Sequence, residues 1–71
     1  METIIKYDEE LNNHETGDYE IKFFCDECVI VTYGFAQDAN TALSYARERI
    51  EHLLKVARPD YVEIEMKGKF V

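Results

Sequence analysis

The 71-residue sequence has no tryptophan, one proline and three glycines, and its longest uninterrupted apolar run is the four residues Cys28–Val31. A helix needs about 20 apolar residues to cross a bilayer, so no segment predicts a membrane-spanning helix. The length excludes multidomain enzymes, dinucleotide-binding folds, barrels and solenoids. Because the first residues lack the features of a signal peptide, we expect a cytoplasmic protein with one domain over residues 1–71 and two reduced cysteines.

Basic residues are also scarce, with 8 against 15 acids and a net charge of −7. Residues 1–27 carry nine acids and two bases, whereas residues 28–71 carry six of each, so the net charge belongs to the first part of the chain. This balance disfavours direct binding of nucleic acid. The acidic patch predicted from this asymmetry consists of Asp8, Glu9, Glu10, Glu15, Asp18, Asp26 and Glu27.

The 46% hydrophobic fraction and nine aromatic residues indicate a packed globule. Alternating apolar residues predict strands over 3–7, 18–25, 29–35 and 61–67, and apolar spacing of three and four predicts one helix over 39–57. The predicted fold class is therefore α+β: a small β-β-β-α-β domain with one mainly antiparallel four-stranded sheet and one long helix on one face. The last strand should run parallel to the third and pair at the edge, beside the first.

Two residues predict the limits of the helix. The Asp38 carboxylate can accept from unpaired N–H groups of the first turn, so Asp38 is the expected N-cap. Pro59 disfavours a helical conformation at Arg58 and should end the helix. Four alanines in the apolar stripe should let the helix approach the bulky Phe and Tyr side chains of the sheet.

The register of the central hairpin follows from its apolar pattern. A three-residue loop, Asp26–Cys28, would pair Phe23 with Val31 and put nearly every large apolar side chain on the helix side. A two-residue loop would pair Ile21 with Thr32 and turn Val29 and Val31 to the opposite face. The pattern favours the first register, although a three-residue loop requires a left-handed residue that Glu27 and Cys28 do not favour.

Cys25-Asp26-Glu27-Cys28 is the one recognisable motif. A redox role is disfavoured because the thiols lie between strands, with acids between them, and not at a helix N-terminus. Structural zinc needs four ligands, for which His14 or a second copy of the chain would have to add to Cys25 and Cys28. A lone C-x-x-C is a weak signal, so no metal and no cofactor is expected.

The residues that could support catalysis are few. Ser44 and His52 lie eight residues apart, about 12 Å along a helix, and cannot share a hydrogen bond. No glycine-rich phosphate loop is present, and a chain this short has little room for a deep pocket. We therefore expect a protein that is not an enzyme.

Two surfaces are candidates for contact with another protein. The sheet face away from the helix should present Ile4 and a directly paired Phe24 and Ile30, and the helix flank should present Tyr45 and Arg49. The leading hypothesis is a small acidic protein-interaction domain, with a protein partner or itself as a homodimer, in an unknown process. The alternatives are a phage-type inhibitor that blocks a basic nucleic-acid-binding groove with the acidic N-terminal part, and a zinc-stabilised hairpin.

Overall fold

The computed structural model describes residues 2–6 and 15–69. Their secondary structure, in chain order, is β1 (Glu2–Ile5), β2 (Gly17–Phe24), β3 (Val29–Ala36), α1 (Ala39–Arg49), α2 (Glu51–Ala57) and β4 (Tyr61–Lys69). The predicted succession of three strands, helical segment and strand is confirmed. The helical segment differs, because it forms two helices instead of one.

The four strands form one mixed sheet in the order β1-β4-β2-β3. Strand β2 runs antiparallel to β3 and β4, while β1 runs parallel to β4. The last strand is therefore parallel to the third, as predicted, but its predicted edge position is wrong. It lies between β1 and β2, where its buried face gains a neighbour on each side, and the sheet edges are β1 and β3.

The core lies between the two central strands and α1. Strands β2 and β4 bury alternate side chains against the helix, and α1 buries four small or medium residues against them. These core residues are Tyr19, Ile21 and Phe23 from β2, Val62, Ile64 and Met66 from β4, and Ala39, Ala42, Leu43 and Ala46 from α1. The expected packing of an alanine-rich helix face on bulky strand residues is present.

The helical segment is interrupted at Ile50, whose φ and ψ are −114° and 25°. The prediction of one long helix is therefore wrong, although the Leu54 N–H still donates to the Ile50 carbonyl at 3.0 Å. Ile50 is the last buried residue of the helical segment. In α2 no residue is fully buried, and Leu54 is the one that packs, partly buried, against the core.

Both predicted helix limits are confirmed. The Asp38 carboxylate accepts from the Thr41 N–H at 2.7 Å, which satisfies one donor of the first turn. At the other end the helix stops at Ala57, and Arg58, next to Pro59, takes a left-handed conformation with φ 49° and ψ 75°. Arg58 is the one non-glycine residue with positive φ in the described ranges.

The hairpin between β2 and β3 has the register that the apolar pattern disfavours. Phe23 lies opposite Ile30, and Ile21 lies opposite Thr32. The predicted pairing of Phe23 with Val31 is wrong by one residue. Because side chains alternate between faces, this shift turns Val29, Val31 and their alternate neighbours away from the helix.

The turn is consistent with this register. It is a tight two-residue connection in which the Cys25 N–H donates to the Cys28 carbonyl at 2.9 Å. Asp26, Glu27 and Cys28 all have negative φ, so the turn contains neither the left-handed residue of a three-residue loop nor those of the primed turns that two-residue hairpins usually adopt.

The helix packing is compatible with the same register. On its helix side β3 presents residues of modest size, among them Thr32, Gly34 and Ala36, beside the bulky residues of β2. At Gly34 a Cβ atom would lie 2.8 Å from Arg49 Nη2 of α1, so a side chain there would displace the guanidinium. Gly34 therefore leaves room for the Arg49 side chain along the edge of the sheet.

The left-handed Arg58 generates a prediction about stability. Replacing Arg58→Gly should raise the free energy of unfolding by about 0.5–1 kcal/mol, because glycine adopts this conformation without a Cβ clash. Urea denaturation followed by circular dichroism measures the change. Arg58→Ala is the matched control, since it removes the same charge and keeps the Cβ. Equal effects of the two variants would contradict the strain explanation.

Candidate protein-binding face

The sheet has one face covered by α1 and one face, here called the open face, that no element of the described residues covers. Four large apolar side chains follow one another on the open face of β3, and they are named here the β3 column: Val29, Val31, Tyr33 and Phe35. Their exposed fractions are 49, 43, 63 and 55%. Isolated exposed apolar residues are ordinary, but a contiguous row of four is typical of a contact surface.

The centre of the open face is charged rather than apolar. Glu20 on β2 lies 3.4 Å from the Lys22 ammonium and 3.9 Å from that of Lys67, and Lys67 also contacts Glu65 at 3.6 Å. Towards β1, Lys6 contacts Glu63 at 3.3 Å. The apolar column therefore lies at one margin of the open face, beside a band of paired charges.

Glu20 links the charged band to the β3 column. Its side chain is 10% exposed. Partial burial by itself would raise its pKa, but the Tyr33 hydroxyl donates to its carboxylate, and Lys22 and Lys67 lie nearby. Together these partners hold the pKa of Glu20 below its ordinary value of 4.5. The hydrogen bond also fixes the polar end of Tyr33 while its ring stays exposed.

The predicted sheet-face residues do not form one patch. Phe24 lies on the open face and stacks on Tyr61, with ring centroids 4.6 Å apart and an angle of 9° between the rings. Ile30 is instead on the helix side, opposite Phe23, and packs against the core. The predicted pair of Phe24 and Ile30 is therefore wrong, because the register differs by one residue. Ile4 lies on the open face of β1, two strands away from Phe24.

The predicted helix-flank residues do meet the edge strand. Tyr45 and Arg49 line a groove of about 400 Å³ together with Gly34, Phe35 and Glu48. In this groove Arg49 Nη1 donates to the Tyr33 carbonyl at 2.9 Å. The helix flank and β3 therefore form one continuous surface along the sheet edge.

The predicted acidic patch is not brought together among the described residues. Asp8, Glu9 and Glu10 lie outside the described residues. Glu15 and Asp18 lie at the start of β2, whereas Asp26 and Glu27 lie beyond its end, roughly 25 Å away along an extended strand. At the first of these ends the buried Tyr19 hydroxyl donates to the Glu15 carbonyl at 2.6 Å.

The two cysteines lie at the hairpin end of the sheet, where α2 also ends. They line a shallow cavity of about 290 Å³ with Asp26, Glu27, Val56 and Ala57. Desolvation raises the pKa of the Cys25 thiol, and contact with the Cys28 thiol and the charges of Asp60 and Asp26 raise it further. A hydrogen bond with Asp26, and the charge of Asp26, also raise the pKa of the Asp60 carboxyl.

This arrangement disfavours negative charge on the Cys25 sulfur. A reactive thiol needs positive charge or a helix N-terminus nearby, and the neighbours here are carboxyl groups. The described ranges 2–6 and 15–69 contain no cluster of three or more metal-ligating side chains. His14, the histidine proposed from the sequence as a further ligand, lies outside those ranges.

The β3 column was missed by the sequence analysis, which assigned its residues to the core. The signal that could have identified it is the turn. The Asp26–Cys28 loop has no glycine or asparagine for the left-handed position of a three-residue connection. Keeping both registers open for this reason would have retained the exposed column as the alternative to the core assignment.

Comparison with protein-family models, curated proteins and solved structures finds no match. Among the described residues no helix has the length and apolar character needed to span a membrane. The site is therefore interpreted from its own geometry.

The environment of Glu20 predicts a pH dependence of stability. A carboxyl group with a lowered folded-state pKa stabilises the fold above its unfolded value, and the stabilisation is lost as pH falls through the folded value. Glu20→Gln should therefore destabilise the protein at pH 7 and lose less stability than wild type as pH falls from about 5 to 3. Thermal unfolding at a series of pH values measures this. Glu65→Gln, a more exposed carboxylate of the same band, is the control, and parallel curves for wild type and Glu20→Gln would contradict the assignment.

The environment of Cys25 predicts slow alkylation. In the single-thiol variant Cys28→Ser, Cys25 should react with iodoacetamide more slowly than glutathione at pH 8. The difference between the two alkylation rates should narrow as pH rises, because the thiolate is the reacting form and more of Cys25 becomes thiolate at higher pH. Mass spectrometry against time measures the rate. An equal or faster rate than glutathione at pH 8 would show that the carboxyl groups do not control this thiol.

Proposed function

We propose that this chain is a small, acidic, non-enzymatic domain that binds another protein through the β3 column. The observation that carries the proposal is the row of four exposed apolar side chains on an eight-residue edge strand. Burying them on a partner would remove apolar surface from water, which is the main favourable term in association. The groove with Tyr45 and Arg49 continues this surface, and both are residue types that contribute strongly to interfaces.

The electrostatics of the edge support a protein as the partner. Strand β3 has the sequence Val-Ile-Val-Thr-Tyr-Gly-Phe-Ala and carries no charge. Interface centres are depleted in charged residues and enriched in aromatic ones, as β3 is. No acid lies on β3 itself, and in the adjacent groove the one acid, Glu48, is accompanied by Arg49.

The two alternative functions remain hypotheses. An inhibitor that blocks a basic groove would use the acids of residues 1–27, of which the described ones are spread over β1, the middle of β2 and both ends of β2. The open-face carboxylates Glu20 and Glu65 are paired with lysines, which lowers their value for binding a basic partner. A zinc-stabilised hairpin would need ligands beyond Cys25 and Cys28.

A photo-crosslinking experiment tests the binding function. A photoreactive phenylalanine analogue at Phe35 should give one discrete adduct in a lysate of the native host, either with the same chain or with one other protein. The analogue at Val56 is the matched control, because Val56 is an apolar residue on α2 that is 85% exposed and lies outside the β3 column.

The proposal is contradicted if Phe35 and Val56 give the same pattern of adducts, or if Phe35 gives none. Val31→Ser, added to the variant with the analogue at Phe35, should reduce the Phe35 adduct without changing the far-UV circular dichroism spectrum. Val31 is half exposed, so the fold should tolerate this change.

A further inference from the structure

We infer that the partner of the β3 column is a second copy of this chain, joined by antiparallel pairing of the two β3 strands into one eight-stranded sheet. The inference rests on the proposed binding function of the β3 column and names its occupant. It is derived from the backbone direction of β3, the charge along the edge, and one buried hydroxyl group.

The backbone groups of alternate β3 residues point away from the sheet. Cys25 and Cys28 form a hydrogen-bonded pair, so the alternation of antiparallel pairs makes Lys22–Val31 and Glu20–Tyr33 non-bonded pairs. The N–H and C=O groups of Val31 and Tyr33 therefore point outward from the edge. The Arg49 contact with the Tyr33 carbonyl confirms this direction.

Apart from the Arg49 side chain on the Tyr33 carbonyl, the edge lacks the features by which proteins prevent strand pairing. Such edges are usually short, charged, interrupted by proline or bulged. Strand β3 has eight residues, no charge and no proline, and its pairing with β2 is regular throughout. It therefore offers an extended template for another strand.

Charge favours the same chain as the occupant. Two copies of β3 bring no charge to the junction, and the adjacent helix flank carries one acid and one base, Glu48 and Arg49, in the groove. Both copies have a net charge of −7, but the surfaces that meet are neutral. A basic partner would gain nothing at this edge, whereas a second copy meets no like-charge repulsion there.

One register of the pairing between the two β3 strands lets every outward-pointing residue form backbone hydrogen bonds across the junction. Outward-pointing residues must face one another, and all four of them are paired only when the two-fold axis is centred on Thr32. Val31 then faces Tyr33 of the second copy, and Val29 faces Phe35. These are β-branched residues opposite aromatic ones, which are favourable cross-strand pairs.

The same axis gives Thr32 a partner. Its Oγ1 atom is buried and has no hydrogen-bond partner among the described residues, and a rotation about χ1 would turn it towards the sheet edge. Across the two-fold axis the two Thr32 side chains would be directly opposite, with Cβ atoms about 4.5–5.5 Å apart, and Thr–Thr hydrogen bonds stabilise such pairs. A buried unpaired hydroxyl is unfavourable, so the pairing removes a defect of the single chain.

The area buried at the junction sets the expected affinity of the dimer. At their observed exposures Tyr33 and Phe35 present roughly 200–300 Å² per copy, since a whole aromatic side chain buries about 150–250 Å². Edge-to-edge pairing covers the sides of these rings that face the neighbouring strand and leaves their outer surfaces open, so the junction lies below the size of a standard specific interface, about 1,200 Å², and in the range of weak and transient ones. The Tyr33 carbonyl has a second lone pair for the incoming Val31 N–H beside Arg49. We therefore expect a dimer of micromolar dissociation constant.

Sedimentation velocity over about 1–500 µM protein tests the inference, because a micromolar dimer changes from monomer to dimer across this range. Val31→Pro removes the outward N–H while keeping an aliphatic side chain, and edge strands tolerate proline where the N–H faces outward. It should raise the dissociation constant at least about tenfold. Val31→Ala, the matched control, shortens the side chain but keeps the N–H, and should weaken the dimer less.

Amide hydrogen exchange of the wild type gives an independent measurement if Val31→Pro fails to fold. Protection of the Val31 and Tyr33 amides should increase with protein concentration, while the amides of α2 should not change. Thr32→Val should weaken the dimer and stabilise the single chain.

A strict monomer at 500 µM would overturn the inference, as would a dimer that Val31→Pro leaves intact. A strict monomer whose Phe35 crosslinks to one other protein would overturn the inference and uphold the proposed function. A strict monomer whose Phe35 gives no discrete adduct would reject both the dimer and the proposed binding function.

Discussion

The structure depends on the pairing of β2 with β3 that the tight Cys25–Cys28 connection sets. The connection is a two-residue turn, so Phe23 lies opposite Ile30, and every side chain of β3 has its face fixed from that point. The helix then packs on the small side of β3, and the large side stays open. The register of one hairpin thus decides which residues of the domain are exposed on the open face.

With that register, the core is stabilised by the packing of small helix residues against large residues of the central strands. Tyr19 and Phe23 on β2 are fully buried because α1 lies close to them with an alanine-rich face. On β3 the absence of a side chain at Gly34 leaves room for the Arg49 guanidinium. The core is therefore concentrated on the two central strands, while the edge strand contributes little to it. An edge strand with its large residues turned outward is a natural place for association.

The electrostatic organisation separates two kinds of surface. Paired charges occupy the centre of the open face, and uncharged residues occupy its β3 margin. Tyr33 joins them, with its hydroxyl on Glu20 and its ring in the apolar column. At the hairpin end, carboxyl groups surround the cysteines and oppose thiolate formation. Charge therefore favours association at one edge and disfavours thiol chemistry at one end.

Local sequence features account for the element order, the helix limits at Asp38 and Pro59, and the core residues of β2 and β4, because capping, proline geometry and alternation act over a few neighbouring residues. Contacts between distant residues decide the rest. They place β4 between β1 and β2, and they leave Ile50, where the helix is interrupted, as the last buried residue of the helical segment. They also decide the face of β3. The apolar pattern favoured one register and the chain adopts the other, because the hairpin by itself allows both and the choice depends on how the helix packs on β2 and β4 in the assembled sheet.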